Sequence, residues 1–288
     1  MPDPETVPPW RTTVTGRVDV TALLRDGERR TVRICLPEGY ETSGIDHPVL
    51  YMFDGHSLFD RATTTFGVEW GIDETVAALH ADGRLPQGLV VVGVDAPSGP
   101  FERYREYTAW DWAHPDPAGV GTAIRADGAA TADFLVGTVV PYVQATYRVA
   151  RDRSRVGLAG SSMGGYMTLY TGTRHSEVFG RLLAFSPVML DDPMRGDRLR
   201  TLITASGFEP GTWVYLDMGD QEELSYSPGP HALVADLART AAAVAAAARP
   251  PDRLVSRVLP GAPHDEDAWG ARFGEVVLWA FAGGPEPA

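Results

Sequence analysis

The ten residues GLAGSSMGGY, at positions 157–166, place two adjacent serines between glycines. Ser162 has a glycine two positions before it and another two positions after it, Gly160 and Gly164, whereas Ser161 does not. An apolar segment, RVGLA, leads into the motif, and a helix-compatible segment, MGGYMTLYTG, follows it. Small residues around a serine suit a sharp strand-to-helix turn, because bulky side chains would collide there. The pattern therefore predicts that Ser162 is a nucleophile held at such a turn.

The rest of the chain alternates between strand-like and helix-like segments. Four continuous apolar runs are typical of strands covered on both faces: PVLYMF, GLVVVGV, SRVGLAG and RLLAFS. Two alternating segments near the start predict paired antiparallel strands, RTTVTGRVDV and RRTVRICLP. This order predicts a mostly parallel central sheet with helices on both faces, and the serine turn makes it an α/β-hydrolase fold. We expect a single α/β-hydrolase catalytic domain over residues 1–288, with its core at about 12–282 and short flexible tails.

The composition is acidic and includes a single cysteine. Among 288 residues, 25 are basic and 38 are acidic, which gives a formal net charge of -13. Such a charge disfavours binding to nucleic acid or to an anionic membrane surface. Cys35 has no partner for an internal disulfide, and its apolar neighbours predict a buried thiol. No apolar run approaches the ~20 residues that span a bilayer, and no secretory signal is visible, so we expect a cytoplasmic protein.

A histidine must activate the serine, because an unassisted hydroxyl is a poor nucleophile at neutral pH. In the expected fold the catalytic groups follow the chain order serine, acid, histidine, which leaves three candidates after Ser162: His175, His231 and His264. His264 lies in LVSRVLPGAPHDEDAW, directly after the last predicted strand. The sequence therefore predicts His264 as the base.

The acid that orients this histidine is expected after the strand TWVYLDMG. The candidates there are Asp217, Asp220, Glu222 and Glu223. Asp217 is expected within the strand, whereas Asp220 and Glu222 lie in the following loop. We favour Glu222, with Asp220 as the alternative.

Negative charge on an attacked ester carbonyl is usually received by two backbone amides. The residue after the nucleophile, Met163, is expected to supply one of them. The other is expected from the loop YMFDGHSLFD after the third strand, where Gly55 permits a sharp turn. We predict that the amide of His56 completes this oxyanion hole.

Eight segments of the chain resemble, in order, the putative-esterase family of α/β hydrolases, which includes enterochelin esterases and esterase D-type enzymes. They are VLYMFDGHSLFD, GVEWGIDETV, LVVVGVD, RYREYT, LAGSSMGGYMTLY, FGRLLAFSP, VYLDMGDQEE and GAPHDEDAW. The resemblance covers about residues 30–280. It implies that Ser162 is the nucleophile and His264 the base, with the amides of His56 and Met163 as the oxyanion hole.

The RYREYT segment in this family tends to line or brace the site. We therefore expect Arg103 and Glu106 to form an ion pair at the rim, with a role for Arg103 as a substrate anchor as the alternative. Trp110 and Trp112 are predicted to line the acyl or leaving-group site, and a buried structural role is their alternative.

These residues together predict a serine carboxylic-ester hydrolase with a Ser-His-acid triad and an acyl-enzyme intermediate. Its partner is a small-molecule ester. No cofactor is implied, and the histidines show no metal-ligand spacing such as H-E-x-x-H. Two other functions stay open: an acyltransferase on the same fold, and a catalytically silent hydrolase fold that acts as a binding module.

Overall fold

A twisted eight-stranded sheet runs through the computed structural model, which describes residues 12–114, 122–189, 193–224 and 229–287. A separate, two-stranded antiparallel sheet pairs Trp112–His114 with Thr122–Ile124. The strands in chain order are β1 (Arg17–Arg25), β2 (Glu28–Leu36), β3 (Val49–Phe53), β4 (Val90–Val94), β5 (Trp112–His114), β6 (Thr122–Ile124), β7 (Val156–Ser161), β8 (Arg181–Phe185), β9 (Trp213–Gly219) and β10 (Arg253–Leu259).

The order of strands across the large sheet is β1-β2-β4-β3-β7-β8-β9-β10. The β1–β2 and β2–β4 pairs are antiparallel, and all the later pairs are parallel. The predicted antiparallel start and mostly parallel sheet are therefore confirmed. Because parallel strands all end at the same edge, the loops that follow β3, β7, β8, β9 and β10 gather there.

Helices cover both faces of the sheet, as the sequence predicts. Their bounds are α1 (Tyr40–Ser43), α2 (Ile72–Ala81), α3 (Glu102–Glu106), α4 (Gly128–Phe134), α5 (Val140–Thr146), α6 (Met163–Arg174), α7 (Pro193–Ser206), α8 (Pro230–Ala245) and α9 (Glu266–Ala282). A π-helical segment, Leu135–Val139, joins α4 to α5.

The strand β3 shows why the sheet needs cover on both sides. Val49, Tyr51 and Phe53 point to a core that includes residues of α4 to α8. Leu50 and Met52, which alternate with them, point to a second core formed with α2 and α9. Side chains alternate along a strand, so a continuous apolar run is buried only when both faces are covered.

No helix of the described residues is both long and apolar enough to cross a membrane. Cys35 is a buried free thiol, as its apolar neighbours predict. Burial, followed by the charges of Asp73 and Glu74, raises its pKa to about 12.

A buried carboxylate joins the start of the sheet to α2. Asp73, in the first turn of α2, is 1% exposed, and one of its oxygens accepts a hydrogen bond of 2.6 Å from the amide of Thr15. Burial is the main cause that raises the pKa of Asp73 from 3.8 to about 7, and Glu74 adds to it. The folded protein therefore binds this proton more tightly than the unfolded chain does.

We expect Asp73→Asn to make the protein more stable than the wild type at pH 8, by at least about 3 °C in Tm. A raised pKa contributes stability that is complete below pH 3.8 and is lost as the pH rises through about 7. The advantage of the variant should therefore shrink as the pH falls from 7 towards 4 in thermal melts. Asp82→Asn, at the exposed end of α2, is the control. A difference that does not change with pH would contradict this assignment.

Candidate active site

Ser162 lies between β7 and α6 in a backbone conformation that L-residues rarely adopt, with φ 56° and ψ −122°. Its amide donates to the carbonyl of Phe185 at 3.0 Å, and its carbonyl accepts from the amide of Val188 at 3.1 Å. The end of β8 and the segment after it thus fix both the amide and the carbonyl of Ser162. Such strain persists only where the surrounding structure imposes it, and it is common at functional sites.

The glycines around Ser162 are required by close backbone contacts. A Cβ on Gly160 would lie 2.7 Å from the carbonyl group of Gly164, in the first turn of α6. A Cβ on Gly165 would lie 2.9 Å from the carbonyl oxygen of Phe185. The Gly-x-Ser-x-Gly pattern therefore reflects how closely the helix returns to the strand that it follows.

The turn after β3 lies beside this elbow. Asp54 has φ 59°, and Gly55–Ser57 form a single turn of 3-10 helix. A Cβ on Gly55 would come within 2.5 Å of the backbone of Gly93 in β4, so glycine is needed there. A Cβ on Gly164 would lie 3.2 Å from Oδ2 of Asp54, which shows that this turn and the start of α6 are in contact.

The amides predicted to form the oxyanion hole lie in these two segments. Within the described ranges, the amides of His56 and Met163 donate to no protein acceptor. Met163 is the first residue of α6, where amides have no partner inside the helix. Both amides are therefore available to a bound group.

The structure brings His264 and Glu222 together. Nδ1 of His264 lies 2.7 Å from Oε2 of Glu222, which is completely buried. An ionised carboxylate only accepts hydrogen bonds, so in the neutral imidazole this pairing puts the single ring proton on Nδ1 and leaves Nε2 as an acceptor. Trp269 contacts the imidazole edge-on, with ring centroids 4.9 Å apart, and fixes its plane.

Asp220, the alternative acid, has a different contact. Its Oδ1 accepts a hydrogen bond of 2.7 Å from the amide of Gly261, and its own amide donates to the carbonyl of Leu259. Asp220 therefore ties the loop after β9 to the loop that carries His264. The two carboxylates share one loop, and only Glu222 contacts the imidazole.

Sequence analysis did not single out Ser186, which is the centre of a buried hydrogen-bond network. Ser186 follows β8, is 0% exposed and has φ 43°. Its Oγ accepts from Nε1 of Trp269 and from Nη2 of Arg272, both at 3.0 Å, and donates to Oε1 of Glu222 at 2.5 Å. The other donor to Oε1 is the amide of Gly219, at 2.6 Å. The only sequence signal was the position of this serine at the carboxyl end of a parallel strand.

Asp217 belongs to the same buried hydrogen-bond network. It is not the acid that contacts His264. It accepts two hydrogen bonds from Arg272, with Nε 2.6 Å from Oδ2 and Nη2 3.2 Å from Oδ1. It also accepts from the amide of Ser186 at 2.8 Å and from the hydroxyl of Tyr215 at 2.7 Å. A buried ion pair with this many hydrogen bonds fixes the side chains around it.

The predicted ion pair between Arg103 and Glu106 is wrong. Arg103 pairs instead with Asp54, with both nitrogen–oxygen distances at 2.8 Å. Glu106 is 1% exposed and accepts from Arg30 at 2.7 and 2.8 Å and from Arg25 at 3.0 Å. The two residues share the short helix α3, but Glu106 points to the buried arginines of the β1–β2 hairpin.

Tyr107 completes the support of the turn after β3. The guanidinium of Arg103 lies 4.9 Å from the centroid of its ring, and its hydroxyl accepts a hydrogen bond of 3.2 Å from the amide of Asp54. Burial, followed by the charge of Asp54, raises the pKa of the Tyr107 hydroxyl well above its usual range. The hydroxyl therefore stays protonated, and Arg103 and Tyr107 hold Asp54 from two directions.

The two predicted pocket tryptophans differ in their surroundings. Trp112 is 7% exposed and packs on Tyr104, with ring centroids 6.0 Å apart. Trp110 is partly buried and meets the ring of Tyr170, on α6, edge-on at 5.8 Å. Trp112 thus has the environment of a structural residue, whereas Trp110 retains an exposed surface. No group of three or more His, Cys, Asp or Glu side chains in the described part of the chain could hold a metal ion.

A family model and a curated relative both match most of this chain. The family model described as Esterase, putative esterase, matches residues 25–280. The uncharacterized protein YbbA of Bacillus subtilis is 25% identical over 202 residues, which cover 68% of this chain and 70% of that protein.

Solved structures with the same fold include two named hydrolases. The siderophore hydrolase EstB from Aspergillus nidulans has a TM-score of 0.70 at 18% identity, and the match covers 100% of both chains. An IroE-like serine hydrolase from Shewanella oneidensis has a TM-score of 0.69 at 18% identity, over 92% of this chain and 80% of that chain. At this level of identity the likeness establishes the fold.

We expect Gly160→Ala to lower the free energy of unfolding by at least about 2 kcal/mol, because the new methyl group would collide with the backbone of Gly164. Gly137→Ala is the matched control. Gly137 is exposed in a helical segment and has open space at its Cβ, so alanine should stabilise the protein by about 0.5–1 kcal/mol. Denaturant titration measures both variants. Equal effects of the two substitutions would contradict the close contact at the elbow.

Proposed function

The chain belongs to the putative esterase family, and we propose that it hydrolyses carboxylic esters through a nucleophilic serine and an acyl-enzyme intermediate. The hydrogen bond between Nδ1 of His264 and Oε2 of Glu222 carries this proposal, because it favours the imidazole tautomer that a serine hydrolase needs. The strained turn at Ser162 supports it, since that turn follows β7, which only β8 separates from β9, at the same edge of the sheet.

In the proposed reaction Nε2 of His264 takes the proton of Ser162 as the hydroxyl attacks the ester carbonyl. The negative charge on the carbonyl oxygen is received by the amides of His56 and Met163. Loss of one such donor typically raises the barrier by ~3 kcal/mol. His264 then gives the proton to the departing alcohol, and a water molecule, activated by the same histidine, frees the acyl group.

We assign Ser186 the role of positioning the acid. Two donors, Trp269 and Arg272, occupy the lone pairs of its hydroxyl, so the hydroxyl proton is left for Glu222. With Oε1 of Glu222 held in this way, Oε2 is directed to the imidazole.

Arg103 and Asp54 make contacts that would stabilise the turn Gly55–Ser57, which we call the oxyanion turn because it carries the amide of His56. Both carboxylate oxygens of Asp54 accept a hydrogen bond from Arg103. Asp54 directly precedes Gly55 and His56. We therefore propose that Arg103 holds this turn in place more than it anchors substrate. Trp110 remains our proposed lining residue, whereas we assign Trp112, which packs on Tyr104, a structural role.

We expect Ser162→Ala to lower the hydrolysis of p-nitrophenyl butyrate by at least about 10³-fold, since the nucleophile is removed. The melting temperature should not fall, because alanine fits the same space. Ser161→Ala, one residue earlier in β7, should retain activity within about tenfold. A phosphonate label should add its mass to the wild type and to Ser161→Ala only. Turnover or labelling that persists in Ser162→Ala would remove this serine from the mechanism.

We expect Glu222→Gln to lower kcat by about 10²–10⁴-fold with little change in KM, because the imidazole loses the charge that holds its tautomer. Asp220→Asn, in the same loop, should lower kcat by less than about fivefold. As a single variant, Ser186→Ala should lower kcat. In the double variant with Glu222→Gln it should lower kcat little further, if Ser186 acts through that acid. Steady-state kinetics of these variants decide the assignment. A larger loss in Asp220→Asn than in Glu222→Gln would make Asp220 the acid.

A further inference from the structure

Glu266 is a carboxylate beside the proposed base that the mechanism does not use. It is the first residue of α9, two positions after His264. The helix cap is the preceding residue, Asp265, whose Oδ1 accepts from the amide of Ala268 at 2.8 Å. Glu266 is half-buried, and no other residue of the described ranges donates a hydrogen bond to its side chain. Its carboxylate is therefore available to a ligand.

The helix that carries Glu266, α9, is connected to the oxyanion turn through Trp70. A Cβ on Gly270, one turn along α9, would collide with the carbonyl oxygen of Trp70. The amide of Trp70 in turn donates to the carbonyl of Ser57, at the end of the turn Gly55–Ser57. The start of the second turn of α9 and the turn Gly55–Ser57 are thus linked through Trp70, and Glu266 lies one helical turn before that contact.

The electrostatic partners of Glu266 agree with this location. Its carboxylate interacts with Asp54, beside the oxyanion turn, and with His264. Burial is the main cause that raises the pKa of Glu266, and the negative charges of Asp54 and Asp265 add to it. Its surroundings therefore disfavour the ionised form, and a bound positive charge would relieve this.

Three other carboxylates of the site already have cationic or imidazole partners. Asp54 pairs with Arg103, Asp217 pairs with Arg272, and Glu222 contacts His264. No lysine occurs in the sequence, so every basic side chain other than histidine is an arginine. Within the described ranges, no arginine is a partner of Glu266.

We propose that Glu266 binds a positively charged group, an ammonium or a guanidinium, on the alcohol portion of the ester substrate. This inference rests on the proposed function, because the departing alcohol receives its proton from His264 and must therefore lie on the side of the site where Glu266 stands. The formal net charge of -13 would draw such a substrate toward the protein.

The test uses two esters of one shape that differ in charge, butyrylcholine and 3,3-dimethylbutyl butyrate. The wild type should hydrolyse the cationic ester with the higher kcat/KM, and Glu266→Gln should lower the ratio of the two values by about 3- to 10-fold. The neutral ester should change by less than about twofold. Added salt should lower the ratio in the wild type and have less effect in the variant.

Two further variants separate the position of the charge from its presence. Asp267→Asn removes a negative charge from the next residue of α9, which is exposed, and should leave the ratio unchanged. Glu266→Asp keeps the charge and should keep the preference. An equal ratio in the wild type and in Glu266→Gln, or a wild type that prefers the neutral ester, would overturn the proposal.

A second measurement covers the case in which neither ester is turned over. Choline should then inhibit the hydrolysis of p-nitrophenyl butyrate more strongly than 3,3-dimethylbutan-1-ol does, and Glu266→Gln should remove the difference. Equal inhibition by the two alcohols in the wild type would overturn the proposal. If p-nitrophenyl butyrate is not hydrolysed by the wild type, the proposed function itself has failed, which is a separate result.

Discussion

The site depends on how the completely buried carboxylate of Glu222 is supplied with hydrogen-bond donors. An unpaired charge out of contact with water costs several kcal/mol, so its oxygens need donors. They receive three, from the amide of Gly219, the hydroxyl of Ser186 and the imidazole of His264. Each donor comes from a different strand or the loop that follows it, namely β9, β8 and β10. Satisfying one charge therefore fixes the relative positions of three loops, and the imidazole is oriented as a consequence.

Arginine–carboxylate pairs extend this control beyond the acid. Within the described ranges, five of them use two nitrogens on one carboxylate: Arg103–Asp54, Arg272–Asp217, Arg30–Glu106, Arg33–Asp95 and Arg17–Asp19. A guanidinium offers its donors in a planar fork, so such a pair sets an orientation as well as a distance, which an ammonium group does not do. The pairs link the antiparallel hairpin, α3 and the oxyanion turn. In a chain without lysine, this geometry is available to every charged pair that does not involve histidine.

The fold and the order of the predicted groups could be read from the sequence because they follow local patterns. Apolar runs marked the parallel strands, and the glycines around Ser162 marked a turn with no room for side chains. The partners of charged groups were less accessible. Glu106 was the carboxylate nearest to Arg103 in sequence, but Arg103 pairs with Asp54. Glu106 is instead paired with Arg25 and Arg30 of the hairpin, which are distant from it in sequence. Ser186 gave no local signal beyond its place at the end of a parallel strand, since its hydrogen bonds all join it to other elements.

Backbone strain is concentrated where the functional groups lie. Five non-glycine residues of the described ranges have positive φ, and three of them directly follow parallel strands at the same edge: Asp54 after β3, Ser162 after β7 and Ser186 after β8. Each such residue costs of order 1 kcal/mol or more. The strands before them are almost completely buried, so the core of the sheet offsets this cost. Because the strained residues hold the oxyanion turn, the serine and the hydroxyl that positions the acid, relaxing any one of them would displace a group on which the proposed chemistry depends.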